Sequence, residues 1–205
     1  YVFSIFIIPI LATIIMGSSV YNGWRHFYFV YPSLVFLCIS GFLNIKLIIK
    51  ENTKKIIYLF LFIQIIFVTN FIIQSHPLQS LYFNLPSKKF ISNRFVYDYW
   101  GLGNKISLEK LIVDHGDNLP IKIATSSFTD LNKTSFIMDK NLRNKFVFLG
   151  TEKQNADFIF TNYYYNSSPI SEKKFAIPNN YHSVVKLEVD GLLVNEIFKK
   201  NSNKN

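Results

Sequence analysis

The sequence predicts a membrane α-helical part of about three transmembrane helices, followed by a small extracytoplasmic α/β domain ending in a β-hairpin. Three observations predict it. Charge is partitioned unevenly along the chain, long stretches of the first part carry none, and the second part switches repeatedly between helical and strand-like periodicity. Of the 205 residues, 49% are hydrophobic, and mean hydropathy is +0.19. Residues 1–75 hold only Arg25, Lys46, Lys50, Glu51, Lys54 and Lys55 as charges, whereas residues 76–205 hold seventeen Lys and Arg and twelve Asp and Glu. The first part has too little polar surface to cover its apolar residues in water. This argues against a wholly soluble enzyme, a disordered chain or a disulfide-stapled miniprotein.

The spans are expected at about residues 2–20, 27–45 and 56–73. The second and third contain no charge and, at about 1.5 Å per residue, reach roughly 27–29 Å, near the hydrocarbon thickness of a bilayer. Pro32 follows Phe27, Tyr28, Phe29 and Tyr31 at the head of the second span, where aromatics suit the membrane interface and a proline costs little. The turn Lys46–Lys55 carries four lysines and one glutamate, against the single Arg25 in the loop Tyr21–His26. The positive-inside rule sets the lysine turn in the cytoplasm and everything after about His76 outside. The chain opens on Tyr1 directly into an apolar run, with no charged n-region and no small-residue cleavage site. It reads as the C-terminal part of a longer protein. Cys38 is the only cysteine, so no intramolecular disulfide or cysteine metal site can form, and it reads as a small apolar residue. The net charge of +9 is spread thinly rather than gathered into a basic, aromatic-interleaved face, which argues against nucleic acid as a partner.

Residues 76–95 contain Pro77 and Pro86 and read as an irregular connector. Residues 96–205 form the α/β domain. Ser107 is expected to cap a short helix that runs to His115, with Leu108, Leu111 and Ile112 on one face and Gly116 as its stop. Ile121–Thr125, Lys145–Leu149 and Asp157–Tyr163 read as strands and Leu131–Leu142 as a weaker helix. Val185, Leu187 and Val189 alternate with Lys186 and Glu188 before Asp190-Gly191 and a second apolar run, which signals a hairpin with a type I′ turn.

Chemistry is expected first at Arg25, His26 and Tyr28. A guanidinium fork suits phosphate oxygens, and the amides at a helix N-terminus favour an anion at the same place. The competing reading is an interfacial anchor of snorkelling arginine and aromatics. A second cluster comprises His76, Tyr82 and Asn84, and a third holds Asp98 and Trp100. Asp98 suits either a carbohydrate or headgroup site or a simple turn cap beside core aromatics. His115 and His182 stand isolated, so no metal site is expected, and no cofactor is called for. The triplets Asn132-Lys133-Thr134 and Asn166-Ser167-Ser168 match the glycosylation pattern, which arises often by chance in an asparagine-rich chain.

Four features occur together in order: Arg25 followed by aromatics and Pro32, the stretch His76-Pro77-Leu78-Gln79-Ser80-Leu81-Tyr82-Phe83-Asn84, the tetrad Asp98-Tyr99-Trp100-Gly101, and the terminal Val189-Asp190-Gly191 turn. In this the chain, from about Tyr21 to Phe198, resembles the C-terminal end of bacterial multi-pass glycosyltransferases of the GT-C class, the group of the protein mannosyltransferases and aminoarabinose lipid A transferases. Leu78 stands where that pattern has an aromatic, and the connector lacks its glycine-rich stretch. The resemblance implies a multi-pass protein of the bacterial inner membrane. It implies transfer of a sugar from a polyprenyl-phosphate donor to an acceptor lipid, glycan or protein on the outer face. The general base would lie upstream of these residues. Arg25, His26 and Tyr28 would bind the donor phosphate. His76, Tyr82, Asn84, Asp98 and Trp100 would be acceptor-side residues or, preferably, the joint between membrane part and domain. The rival class is a non-enzymatic envelope or transport subunit whose external domain binds a partner.

Overall fold

Glycine, not hydropathy, ends the first helix. In the computed structural model, which describes residues 1–19, 25–83, 98–116, 120–163 and 173–201, helix α1 covers Val2–Ile15. Gly17 adopts φ +58°. Its amide donates to the carbonyl of Ile14, and the amide of Ser18 donates to that of Thr13, the paired bonds of a glycine-terminated helix end. The expected span to residue 20 is therefore corrected. These 14 residues rise only about 21 Å, less than a bilayer crossing. Pro9 lies inside α1, and the hydroxyl of Thr13 donates to its carbonyl at 2.8 Å.

The next two helices are longer. A 3-10 turn over Arg25–Val30 runs directly into α2, Tyr31–Ile48, with Pro32 in its first turn. There the missing amide hydrogen is not needed. Helix α3 covers Glu51–Gln74. The stretches His26–Ile48 and Glu51–Gln74, 23 and 24 residues, are each long and apolar enough to cross a membrane. Neither α2 nor α3 buries a residue. Phe36, Phe60 and Phe67 are all more than half exposed, so the helices are apolar around their whole circumference rather than along one stripe. Lys46, Lys50, Lys54 and Lys55 gather at the turn between them. Helix α1 packs against α2 and the 3-10 turn.

The chain divides into two compact units, Tyr1–Phe67 and Val68–Asn205. The boundary falls inside α3, earlier than the expected limit at residue 75. The reason is apolar packing. Phe71 near the end of α3, with Leu78 and Leu81 just beyond it, joins Ile106, Leu187, Val189 and Val194 in one cluster. The first part of the expected connector is thus core of the second unit, and residues 84–95 lie outside the described residues.

The second unit is a five-stranded sheet in the order β2-β1-β3-β5-β4. Strands β1 (Ile121–Thr125), β2 (Phe146–Phe148) and β3 (Phe158–Thr161) run parallel. Strands β4 (Tyr181–Val189) and β5 (Leu192–Lys200) pair antiparallel, and β5 pairs antiparallel with β3. Between β4 and β5, Asp190 and Gly191 take φ +49° and +71°, both positive as a two-residue I′ turn requires. One face of the sheet carries Ile121, Ile123, Phe158, Phe160 and Ile197 against Leu108 and Leu111 of helix α4. The other carries Ala124, Ile159 and Tyr181.

Helix α4 covers Leu102–His115, one and a half turns earlier than Ser107 would set it. The start is fixed by Asp98, whose carboxylate accepts the amides of Leu102 at 2.8 Å and Gly103 at 2.7 Å. Ser107 is instead buried inside the helix, 3.4 Å from Nδ2 of Asn195. The expected helix Leu131–Leu142 is broken into α5 (Leu131–Thr134), a 3-10 turn Ser135–Ile137 and α6 (Lys140–Arg143). Met138 is extended between them, which interrupts the backbone ladder.

A side chain at Gly103 would crowd its neighbours. A Cβ there would lie 2.8 Å from Nδ2 of Asn195 and from Cδ2 of Leu187, and 3.0 Å from Oδ2 of Asp98. Gly103→Ala gains about 1 kcal/mol of helix propensity but overpacks a buried contact, which costs about 1–3 kcal/mol. A net loss of up to about 2 kcal/mol is expected, read as a lower denaturation midpoint of the full chain in detergent. An unchanged midpoint would show that the side chains of Asn195 and Leu187 can give way.

Candidate functional site

The 3-10 turn Arg25–Val30 brings Arg25, His26 and Tyr28 together along one short segment of backbone at the head of α2. Its last residue, Val30, is completely buried, which anchors the turn, while His26 and Tyr28 are exposed. For Arg25 the structure describes the backbone position alone. The preceding loop residues, Tyr21 to Trp24, lie outside the described residues.

His76 lies at the end of α3, where its Nδ1 is 2.6 Å from Nε2 of Gln79. Tyr82 packs edge-on against Phe71, ring centroids 5.1 Å apart. Both belong to the segment that Leu78 and Leu81 pin to the sheet. Asn84 lies outside the described residues. Asp98 is buried and Trp100 mostly exposed. Trp100 meets Tyr99 edge-on at 5.1 Å. Burial pushes the Asp98 carboxyl above its usual value near 3.8, and the amides of Gly103, Leu102 and Gly101 pull it part of the way back. Both carboxylate oxygens are committed to the start of α4, so Asp98 acts on the fold there. Two buried amide oxygens near this start, Oδ1 of Asn104 and Oδ1 of Asn195, accept no hydrogen bond.

A third location was not visible in the sequence. At the carboxyl ends of β1 and β2, where α/β sheets commonly hold ligands, the segment Thr125–Asp130 folds over a hollow of about 270 Å³. Oγ1 of Thr125 sits 3.3 Å from Oγ of Ser127 and from the carbonyl of Thr129. The amide of Thr129 donates to Oγ of Ser127 at 3.3 Å. Oγ1 of Thr129 accepts from Nδ2 of Asn162 at 2.7 Å. A signal was available in the run Thr125-Ser126-Ser127-Phe128-Thr129-Asp130 directly after a strand. Nothing in the run says that it closes on β2, twenty residues away in sequence.

Among the described residues no group of three or more His, Cys, Asp or Glu is arranged to hold a metal ion. His115 instead packs on the ring of Phe158, and His182 bonds Oδ1 of Asn201. Comparison with protein-family models, curated proteins and solved structures finds no match to this chain.

Proposed function

We propose that the chain is the C-terminal segment of an integral membrane glycosyltransferase that moves a sugar from a polyprenyl-phosphate donor to an acceptor on the outer membrane face. What supports this reading is the position of Arg25, His26 and Tyr28 in one turn at the head of α2, at the opposite end of that helix from the lysine turn. With the lysines cytoplasmic, this turn lies at the outer surface, at the depth of a lipid-linked phosphate. The bare apolar circumference of α2 and α3 belongs in lipid, and α1 accompanies them there, so that all three apolar helices are membrane-embedded and the sheet domain is extracytoplasmic.

In this mechanism the bond between the sugar and the phosphate breaks, and the departing polyprenyl phosphate gains negative charge. Arg25 stabilises that charge with two parallel N–H donors, and Tyr28 and His26 supply further donors. The general base that takes the acceptor's proton is contributed from upstream. His76, Tyr82, Asn84, Asp98 and Trp100 are acceptor-side residues or, in the preferred reading, belong to the joint between membrane part and domain.

The test is transfer by the full-length protein in membranes supplied with a polyprenyl-phosphate sugar. Arg25→Ala is expected to lower the rate about ten- to a hundredfold, or about 1.4–2.7 kcal/mol, with the protein still present in membranes at its normal level. Arg25→Lys is expected to recover part of the rate, since it restores a point charge without the fork. Transfer at the original rate in Arg25→Ala rejects the phosphate-binding role.

A further inference from the structure

The link between the two membrane-length helices concentrates the charge of the first unit. Between Lys46 and Lys55 stand four lysines and one glutamate. The Lys54 side chain is only 19% exposed, and its ammonium lies 2.5 Å from Oε1 of Glu51, so those two charges cancel. Lys46, Lys50 and Lys55 are exposed and carry the remaining positive charge.

Below this cationic rim lies an apolar cleft. It is lined by Phe42 and Ile45 of α2 and by Ile57 and Tyr58 of α3, with Lys46 and Lys54 also in its lining. Phe42, Ile45 and Lys46 follow the i, i+3, i+4 spacing of one helix face, and so do Lys54, Ile57 and Tyr58. Each helix therefore turns one lysine and two largely apolar residues to the cleft. Phe42 meets Tyr58 edge-on across it, ring centroids 6.1 Å apart. The Lys46 ammonium stands 6.0 Å from the centre of the Tyr58 ring, the outer limit of a cation–π contact. That contact holds Lys46 at the mouth and yields readily to a full negative charge. Helix α2 packs its backbone on α1, with no comparable approach to α3, so the apolar sides of α2 and α3 continue open below the cleft. The enclosed part of the cleft measures only about 10 Å³, room for a single water. A ligand therefore lies across the mouth and along the helices rather than inside.

Cationic rim and apolar cleft together select an amphiphile. A soluble anion would use the lysines and leave the cleft, and a lipid without net charge would use the cleft and leave the lysines. We infer that the link and its cleft bind an anionic phospholipid, with the phosphate on Lys46 and Lys50 and an acyl chain running down past Ile45, Ile57 and Tyr58. The inference rests on α2 and α3 lying in lipid, and is independent of Arg25 and of sugar transfer.

The experiment is native mass spectrometry of the full chain, released from detergent micelles that hold equal amounts of dioleoylphosphatidylglycerol and dioleoylphosphatidylcholine. The phosphatidylglycerol is expected to be retained at least about fivefold over the phosphatidylcholine, roughly what one lysine near an anionic surface contributes. Joint Lys46→Gln and Lys50→Gln substitution, with the fold checked by circular dichroism, is expected to bring the two lipids close to equal retention. Lys110→Gln with Lys140→Gln, two exposed lysines of the sheet domain, is expected to leave the preference as it was, and so is Arg25→Ala. A large excess of inorganic phosphate at matched ionic strength is expected to leave it too, because a bare anion does not use the cleft. Equal retention of the two lipids by the unaltered chain overturns the inference. So does a preference that survives in the Lys46 and Lys50 variant, disappears in Arg25→Ala or in the sheet-domain control, or yields to inorganic phosphate. A dimer that retains no lipid overturns it as well, since a second copy would then fill the cleft. Membrane placement is checked separately, by recovery of the chain with phosphatidylcholine vesicles after an alkaline wash. Recovery together with equal lipid retention overturns this inference alone, whereas loss of the chain in the wash overturns the placement of α2 and α3 in lipid and the inference with it.

Discussion

Phe160→Ala is expected to destabilise the sheet domain by about 3–5 kcal/mol. Phe160 lies in β3, the middle strand of five, and is completely buried. It sits opposite Thr125 of β1 and Ile197 of β5, so it is flanked by both neighbouring strands, and its ring lies in the core cluster with Leu108 and Leu111 of α4. Truncation leaves a cavity that neighbours cannot fill, because the strands on either side are fixed by their ladders. The backbone adds a constraint, since the Phe160 carbonyl accepts the amide of Ser126 at 2.7 Å. A domain of this size is stable by about 5–15 kcal/mol in all, so the loss is a large part of the total. The check is chemical denaturation of the full chain in detergent, with Val147→Ala as control. Val147 lies on edge strand β2 and is 39% exposed, so its truncation is expected to cost less than about 1 kcal/mol. Equal shifts in the two variants would mean that the centre of the sheet does not hold the domain together.

What the sequence made legible follows from the range of the forces involved. Strand β1 is fixed by its own residues: Ile121, Ile123 and Thr125 meet the core while Lys122 stays outside. The two membrane-length helices are legible for the same reason, as the absence of charge over eighteen or more residues is a local property. Local backbone chemistry was also present and was outweighed by hydropathy in the reading. Gly17 ends α1 although Val20 would continue the apolar run. Helix α4 starts at Leu102 because Asp98 reaches forward four and five residues, a longer reach than the usual cap, so Ser107 looked like the start when it is a buried interior residue. The site divides in the same way. Arg25, His26 and Tyr28 are neighbours in sequence and had to be neighbours in space. The hollow was not legible, because Ser127 and Phe148 come to line it together only after the segment from α5 to α6 has turned β2 parallel to β1. No pattern within either segment encodes that pairing.

Asp98→Ala is expected to cost about 2–3 kcal/mol and to act first on α4. The carboxylate holds the amides of Leu102 and Gly103 at the positive end of the helix dipole, and hydrogen bonds to a charged group contribute about 1.5–3 kcal/mol each. Its removal leaves those donors without that partner in a buried setting, and the expense of burying the charge, which disappears with it, offsets part of the loss. Hydrogen exchange gives the readout: amides of α4 should exchange about 30- to 150-fold faster in Asp98→Ala, while those of β3 change less. Uniform acceleration would mean that the carboxylate supports the whole domain rather than this helix end. The pH dependence has a definite sign. Burial raises the Asp98 carboxyl above 3.8 in the folded chain, so the native state holds the proton more tightly than the unfolded state. The contribution of this titration is then fully present below about pH 3.8 and declines as pH rises through the raised native value. Asp98→Asn has no such titration. The melting temperature of the wild type minus that of Asp98→Asn should therefore fall as pH rises from 3.5 through that window. A difference that grew instead would mean that the three amides outweigh burial and hold the Asp98 carboxyl below its usual value near 3.8.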